Sequence, residues 1–591
     1  MELRWSLDEL YSSFEEETFQ QDMERCSREI DELRDWSKNN LVDQQNSLKK
    51  IEEYIVKQNE FFHLFTRLFT FAELSLSVNA KNEKALQAVE TLEEKITELT
   101  ETGVGFQKWV ASLENVDELV EQSSLLKEHR FYLHEIIRSN KYLLSEAEEV
   151  LIAKMKNTGS NAWGKLVEKL TATLLVEINL DGEVQQIPLA KVRNMAYDKD
   201  PQLRKNAYEA ELKAYTKIED AVAACLNGIK GEVITLSKAR GYSSPLEKTL
   251  LDARMDQETL DAMLTAIREY LPAFRKYYCK KAELLGHQKG LPFYDMFAPM
   301  GNANMRFTYE EAMNFIVKHF GSFSDKLADY AKNAFEKRWI DAEPREGKRG
   351  GAFCANIHAI KESRILANFI GSFNDVSTLA HELGHGYHGA CLTEETYLNS
   401  HYPMPIAETA SIFCETIIKN AALRAASKEE AFTILESDIS SCGQVIVDIY
   451  SRFLFESEVF KRREESSLSV EELKNIMLRA QKEAYGEGLN QDYLHPYMWA
   501  CKPHYYYADH NFYNFPYAFG LLFAKGLYSE YLKKGEAFIQ VYDQLLSITG
   551  KMDIADITQS VGIDIRSTDF WKGSLKVIEK DIERFIQLSI S

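Results

Sequence analysis

The chain has 591 residues, a net charge of −21 and 45% hydrophobic residues. That apolar content can bury large cores, which excludes a disordered chain, and the length implies several domains or one unusually large one. The negative excess argues against nucleic acid as a partner, since phosphate recognition needs clustered lysine and arginine, and no apolar run is long enough to span a membrane.

Only 12 prolines and 28 glycines interrupt the sequence, which favours long helices over many short strands. The first residues, Met1 to Trp5, hold no apolar signal core, and eight cysteines are scattered without paired metal or disulfide spacing. A reducing cytoplasm is the expected compartment. The sequence sets no oligomeric state.

Residues 14–39, 42–70 and 81–102 repeat apolar positions every three to four residues among dense Glu, Lys and Gln, so an N-terminal helical domain is expected over 1–110. Phe61, Phe62, Phe65, Phe69 and Phe71 read as its core. A second region, 111–195, continues with helices, for which Leu119, Leu125, Leu126 and Tyr132 are expected buried positions. It then turns β-prone at 173–178 and 184–189, with Asp181-Gly182 as the turn of a hairpin. The remainder, 196–591, is expected to be one catalytic domain, opening with helices over 202–238, 257–285 and 308–335 and a loop over 291–302.

Two β-prone runs, 349–357 and 365–369, predict a short sheet. Its Gly350-Gly351-Ala352-Phe353 arm lets a backbone come close, and an exposed strand edge can bind an extended peptide through its main chain.

The stretch from Asn374 to His388 contains His381, Glu382 and His385 in the order His-Glu-x-x-His. Residues four apart share one face of a helix, so both imidazoles can reach one zinc ion, with Glu382 beside the open position. Asn374, Asp375 and Ser377 are candidate N-caps. Gly384 and Gly386 are costly inside a helix, so they imply that another backbone or a ligand passes close. His388 reads as a packing histidine, because so short a span cannot wrap three ligands around one tetrahedral ion. After a proline-containing loop, a helix expected over 406–426 carries Glu408 and Glu415 on one face among apolar neighbours. Glu408 is the expected third ligand; Glu415, together with Asp375, is expected to support the ligand histidines.

Residues 430–500 read as further helices. Residues 499–517 then crowd ten aromatic and histidine side chains into nineteen positions, more hydroxyls than core filling asks for.

H-E-L-G-H-G-Y-H followed by A-E-T-A-S resembles the oligoendopeptidase F and thimet oligopeptidase family of zinc metallopeptidases. E-P-R-E-G-K-R-G-G-A-F-C at 343–354, the H-Y-Y and F-Y-N-F-P-Y-A-F-G motifs at 504–520, and the opening W-S-L-D-E-L-Y share that resemblance. It implies a mainly α fold, a large helical shell around a deep substrate channel with a small sheet beside the His-Glu-x-x-His helix. It further implies one Zn2+ per chain and hydrolysis of internal bonds in short unfolded peptides, with Glu382 as general base. Gly350 to Phe353 would lie against the substrate. His504, Tyr513 and Tyr517 would donate to the developing oxyanion, with Tyr506 or His510 as possible substitutes. A zinc carboxypeptidase or dipeptidase on a similar shell, and a non-catalytic peptide-binding scaffold, are the other readings. Cobalt or manganese in place of zinc stays open.

Overall fold

The computed structural model describes residues 2–180, 182–301 and 305–590. They form a mainly helical protein with one two-stranded hairpin and one three-stranded sheet. By compactness the chain divides into two units, and neither is a single stretch. Met1–Tyr142, Asn304–Ala422 and Glu530–Gly562 make the first; Leu143–Ala303, Leu423–Ser529 and Ile563–Ser591 make the second. Boundaries at 110 and 195 follow chain order, whereas these units are drawn by packing between stretches far apart in sequence.

In the first unit, helices Glu17–Asn40, Ser47–Val78 and Glu83–Thr97 bury one apolar stripe each. Phe19, Ile30, Phe61, Leu68 and Leu92 meet in a shared core, against which Phe62, Phe65 and Phe69 also pack. The second helix begins later than its pattern predicts, because Val42 is exposed and Asn46 has φ of 55°. It also runs on past residue 70, because Phe71 and Leu74 still find this core. A second core gathers Leu119, Leu126 and Leu133, with Leu125 and Tyr132 partly buried against it.

The same unit holds the three-stranded sheet. Strand β1 (Ile340–Asp341) runs parallel to β3 (Glu362–Leu366), and β2 (Phe353–Ile357) pairs antiparallel with β3, from Phe353 opposite Leu366 to Ile357 opposite Glu362. The order β1-β3-β2 leaves β2 at an edge. The expected strand at 365–369 starts earlier, after a turn in which Lys361 has φ of 55°. Side chains alternate across a strand. Phe353, Ala355 and Ile357 accordingly pack into the N-terminal helical core, while Asn356 faces the other way and donates to the backbone of His385 at 3.1 Å.

The second unit contains the hairpin, Leu175–Leu180 against Glu183–Pro188. Its expected turn residue Asp181 lies outside the described residues, as does Asn302 at the end of the expected loop. Helix Gln257–Leu284 packs along the C-terminal helix Thr568–Ile590, with Tyr277 edge-on to Phe585 at 5.5 Å. The helix expected over 202–238 is two, Pro201–Tyr215 and Glu219–Arg240. In the first unit, likewise, the one expected over 308–335 breaks into Tyr309–Gly321 and Asp325–Glu336, where Ser324 caps a new N-terminus. No described helix is long and apolar enough to cross a membrane.

Candidate metal centre

The helix carrying the two histidines spans Phe373–Cys391. Its N-cap is Ser372, whose hydroxyl accepts from Asp375 N at 3.1 Å. The Asp375 carboxylate accepts in return from the amides of Ser372 at 2.9 Å and Ile370 at 3.1 Å. This reciprocal cap satisfies amides that the first helical turn leaves free. It corrects two expectations. The cap lies before Asn374, and Asp375 is held at the helix start by backbone amides instead of supporting a ligand histidine.

Val376, Leu379, Ala380 and Leu383 are fully buried and fix which way the helix faces. On the remaining side His381 and His385 bring their Nε2 atoms to 3.1 Å of each other. Glu408 lies at the junction between the short helix Met404–Ala407 and the helix Thr409–Ala425. Its Oε2 is 3.3 Å from His381 Nε2 and 3.5 Å from His385 Nε2. Gly384 makes this approach possible, since a Cβ there would sit 2.5 Å from the Ala410 carbonyl oxygen. A Cβ on Gly386 would overlap the Tyr330 hydroxyl. The close approach implied by the two glycines is therefore a backbone at Gly384, as expected, and at Gly386 the Tyr330 side chain instead of a backbone or ligand.

His381 is held from behind, where the Glu415 carboxylate pairs with its Nδ1, and the Ala407 backbone lies close to the His385 ring. A proton fixed on Nδ1 of His381 leaves its Nε2 lone pair free to bind a metal. Tyr330 donates to Ser363 at 3.0 Å, Ser363 to Asn356 at 2.8 Å, and Asn356 to the His385 carbonyl, so a hydrogen-bonded chain ties the helix to the sheet.

This donor set fits a divalent cation. Tetrahedral ligands about 2.05 Å from zinc lie about 3.3 Å apart, and the three edges here are 3.1, 3.3 and 3.5 Å. Among the described residues these three form the group of histidine, cysteine and acidic side chains able to hold a metal ion. Charge points the same way. Glu382, Glu408 and Glu415 crowd together around two imidazoles. Burial, with the charges of Glu408 and Glu415 against the pull of His381, raises the Glu382 carboxyl to about 7. Burial opposes a charge on His381, but Glu415, Glu408 and Glu382 together raise it to about 9. Burial and the neighbouring His381 push His385 down.

His388 takes no part. It is completely buried, stacked on Tyr402 at 4.0 Å with Nε2 2.9 Å from the Thr549 hydroxyl. The Gly350 to Phe353 arm precedes and opens edge strand β2. Gly351 has φ of 80°, and Asn368 donates to the carbonyls of Arg349 at 3.2 Å and Gly351 at 2.9 Å. Sequence reasoning missed what lies underneath: Lys348, whose side chain is fully buried, reaches the Asp341 carboxylate and the carbonyls of Asp341, Glu343 and Ala367. Its signal was a lone lysine inside a glycine-rich turn.

His504, Tyr513 and Tyr517 belong to the second unit, where they form one aromatic cluster. His504 stacks on Tyr513 at 5.1 Å, and Tyr513 meets Tyr517 edge-on at 5.9 Å. Burial and the nearby Arg452 and Lys502 lower the His504 pKa. Tyr506 is excluded as a substitute donor, because its buried hydroxyl is bound to the Trp499 carbonyl at 2.9 Å. His510 is exposed, 6.1 Å from Tyr513 between ring centres.

Comparison with known proteins adds a lineage. The family model described as Peptidase family M3 matches residues 194–577, and that described as Oligopeptidase F matches residues 111–174. Oligopeptidase PepF of Bacillus subtilis is 24% identical over 593 residues, covering 99% of this chain and 87% of its own. An oligoendopeptidase F homolog of Lactococcus lactis is 23% identical over 623 residues, covering 100% and 98%. Among solved structures, a Chlamydophila abortus protein matches with a TM-score of 0.86 at 22% identity, covering 99% of this chain and 98% of that one. Oligoendopeptidase-F of Enterococcus faecium matches with a TM-score of 0.69 at 16% identity, covering 96% and 99%. These structures share the fold.

Proposed function

The chain belongs to peptidase family M3, and from that premise we propose that it is a zinc-dependent endopeptidase acting on short unfolded peptides. The observation that carries the metal assignment is the triangle of His381, His385 and Glu408 with Glu382 adjoining it. The endopeptidase and short-peptide parts rest on the relatives named oligoendopeptidase F.

His381, His385 and Glu408 would hold the metal. When bound, it supplies a Lewis acid that makes water nucleophilic near neutral pH and polarises a carbonyl. Glu382 takes the proton of the attacking water on its carboxylate and delivers it to the leaving amine; a base whose pKa is raised toward the working pH suits both steps. His504, Tyr513 and Tyr517 donate hydrogen bonds to the carbonyl oxygen as it gains negative charge, a contribution of about 3–4 kcal/mol for one well-aimed donor. The unpaired edge of β2, preceded by Gly350, Gly351 and Ala352, binds the peptide main chain as an added strand, which gives affinity without a required sequence. Phe353 serves there through its backbone, because its side chain packs into the core. Eight free thiols suit a reducing cytoplasm.

The test is metal content alongside hydrolysis of internally quenched peptides about ten residues long, with free and with blocked ends. One zinc per chain, with cleavage lost on chelation and restored by zinc, is expected, and blocked ends should not matter. Cleavage confined to free C-termini would turn the reading to a carboxypeptidase, and full activity in a metal-free protein would end it.

A further inference from the structure

The second unit encloses a cavity of about 320 Å³ to which peptide hydrolysis assigns no role. Its size is at the lower end of small-molecule sites. It is bounded by residues 190–211, the turn at 293–297, Gln444 and Asp448, and the segment from His495 to Lys502.

Three features set this wall apart. Gln444 and Asp448 open and close a π-helical turn, Gln444–Asp448, between two α-helices. Such turns sacrifice regular hydrogen bonding and occur mostly where side chains must be re-aimed for function. His495, only 2% exposed, lines the cavity; its Nε2 lies 3.4 Å from Glu211, but its Nδ1 has no partner among the described residues. A buried ring nitrogen without a partner costs stability, so a polar ligand atom there would be a gain.

Charge is the third. Arg204 is committed to Asp295 at 2.7 Å, and Asp448 to Arg452 at 2.5 Å. Glu211 is shared between Arg193 at 3.4 Å, His495 and the Tyr215 hydroxyl. Lys502 forms no ion pair within 4 Å among the described residues, with Asp448 acting on it only at longer range. The cavity therefore carries one positive charge in excess. Burial, with Arg452 and Arg193 nearby, lowers the Lys502 pKa against the weaker pull of Asp448, which is itself paired with Arg452. Beside Asn194 and Gln444, part of the wall is apolar. Phe293, Met296 and Met498 line the interior, and Tyr197, 60% exposed, stacks on Phe297 at 5.0 Å on the solvent side.

We propose that this cavity binds a small monocarboxylate with a flat apolar body, its anion between Lys502 and Arg193 and its body against Phe293, Met296 and the Tyr197–Phe297 pair. None of the residues lining it is a ligand of the metal centre.

The test is calorimetric titration of the zinc-loaded, full-length protein with 3-phenylpropionate, 3-phenylpropionamide and acetate. One saturable site for 3-phenylpropionate is expected, with the amide and acetate each at least about tenfold weaker, a difference of about 1.4 kcal/mol. Lys502→Gln should weaken the carboxylate about tenfold and leave the amide unchanged, which also reports an intact pocket. His385→Ala, which removes a metal ligand, should leave the carboxylate affinity as it is. No saturable binding, or binding lost in His385→Ala and kept in Lys502→Gln, would overturn the assignment. Acetate binding as tightly as 3-phenylpropionate would overturn the apolar body and leave a bare anion site.

Discussion

The metal centre of the first unit and the buried ion pairs of the second handle charge in opposite ways. In the second, Lys230 meets Glu456 at 2.6 Å and Lys281 meets Glu436 at 2.6 Å, with all four side chains nearly inaccessible. Spare valences are filled by Asn511 at 2.9 Å from Lys230 and the Tyr277 hydroxyl at 2.9 Å from Glu436. These pairs are neutral and complete. In the first unit three carboxylates and two imidazoles share one space. A closed pair specifies how helices pack, whereas an open cluster of donors is a place for a cation. The ligand side chains are also more open, 19–30% exposed against 1–8% in the pairs.

The contrast can be broken most sharply by Glu382→Gln. This substitution keeps size and removes the base, so the protein should retain its metal while kcat falls by about 10²–10⁴-fold; metal analysis with peptide assays checks both, and a fall under tenfold would remove Glu382 from the proton transfer. Next in size, Lys281→Met should cost about 3–5 kcal/mol, because Glu436 is left buried and unpaired. Urea unfolding would show it, and adding Glu436→Leu should recover most of the loss. Glu415→Gln, by loosening the grip on His381 Nδ1, should weaken metal binding by about ten- to a hundredfold with little change in fold, read by competition against a chelating dye.

The smallest effect concerns pH. Glu382 titrates near 7 in the folded, metal-free protein and near its ordinary value when unfolded. Between those values the folded chain holds the extra proton, so the contribution of Glu382 to metal-free stability falls as pH rises from the ordinary carboxylate range through about 7, against the opposite slope of His385, whose pKa is lowered. Glu382→Gln removes the first and keeps the second, so wild type should lose stability relative to the variant across that window. Thermal melts of both metal-free proteins would decide. Parallel profiles would mean that the Glu382 carboxyl is not raised.

Much of the metal centre was legible because it is local. A helix places residues four apart on one face, so the facing of His381 and His385 needs only the sequence between them. Gly384 and Gly386 announced close approach by being poor helix residues, though not what approaches. Asp375 shows where such reading fails. A carboxylate near two histidines in sequence looks like their support, yet the stronger local demand of unpaired amides at the helix start claims it. The helix breaks near 217 and 322 were also hidden, since apolar periodicity continues across both.

By itself, then, the sequence determined the helical class, the pairing of the two histidines with Glu382 beside them, and the aromatic crowding near 510. Only the tertiary structure decided that Glu408 faces Nε2 of His381 while Glu415 takes Nδ1, that Lys348 fixes the glycine arm from beneath, and that two discontinuous units make the fold. It alone disclosed the cavity around His495 and Lys502. The reason is one of range. Helical periodicity and short motifs act over a few residues, whereas the counter-charges, contacts and empty spaces around a side chain are set by segments hundreds of residues away.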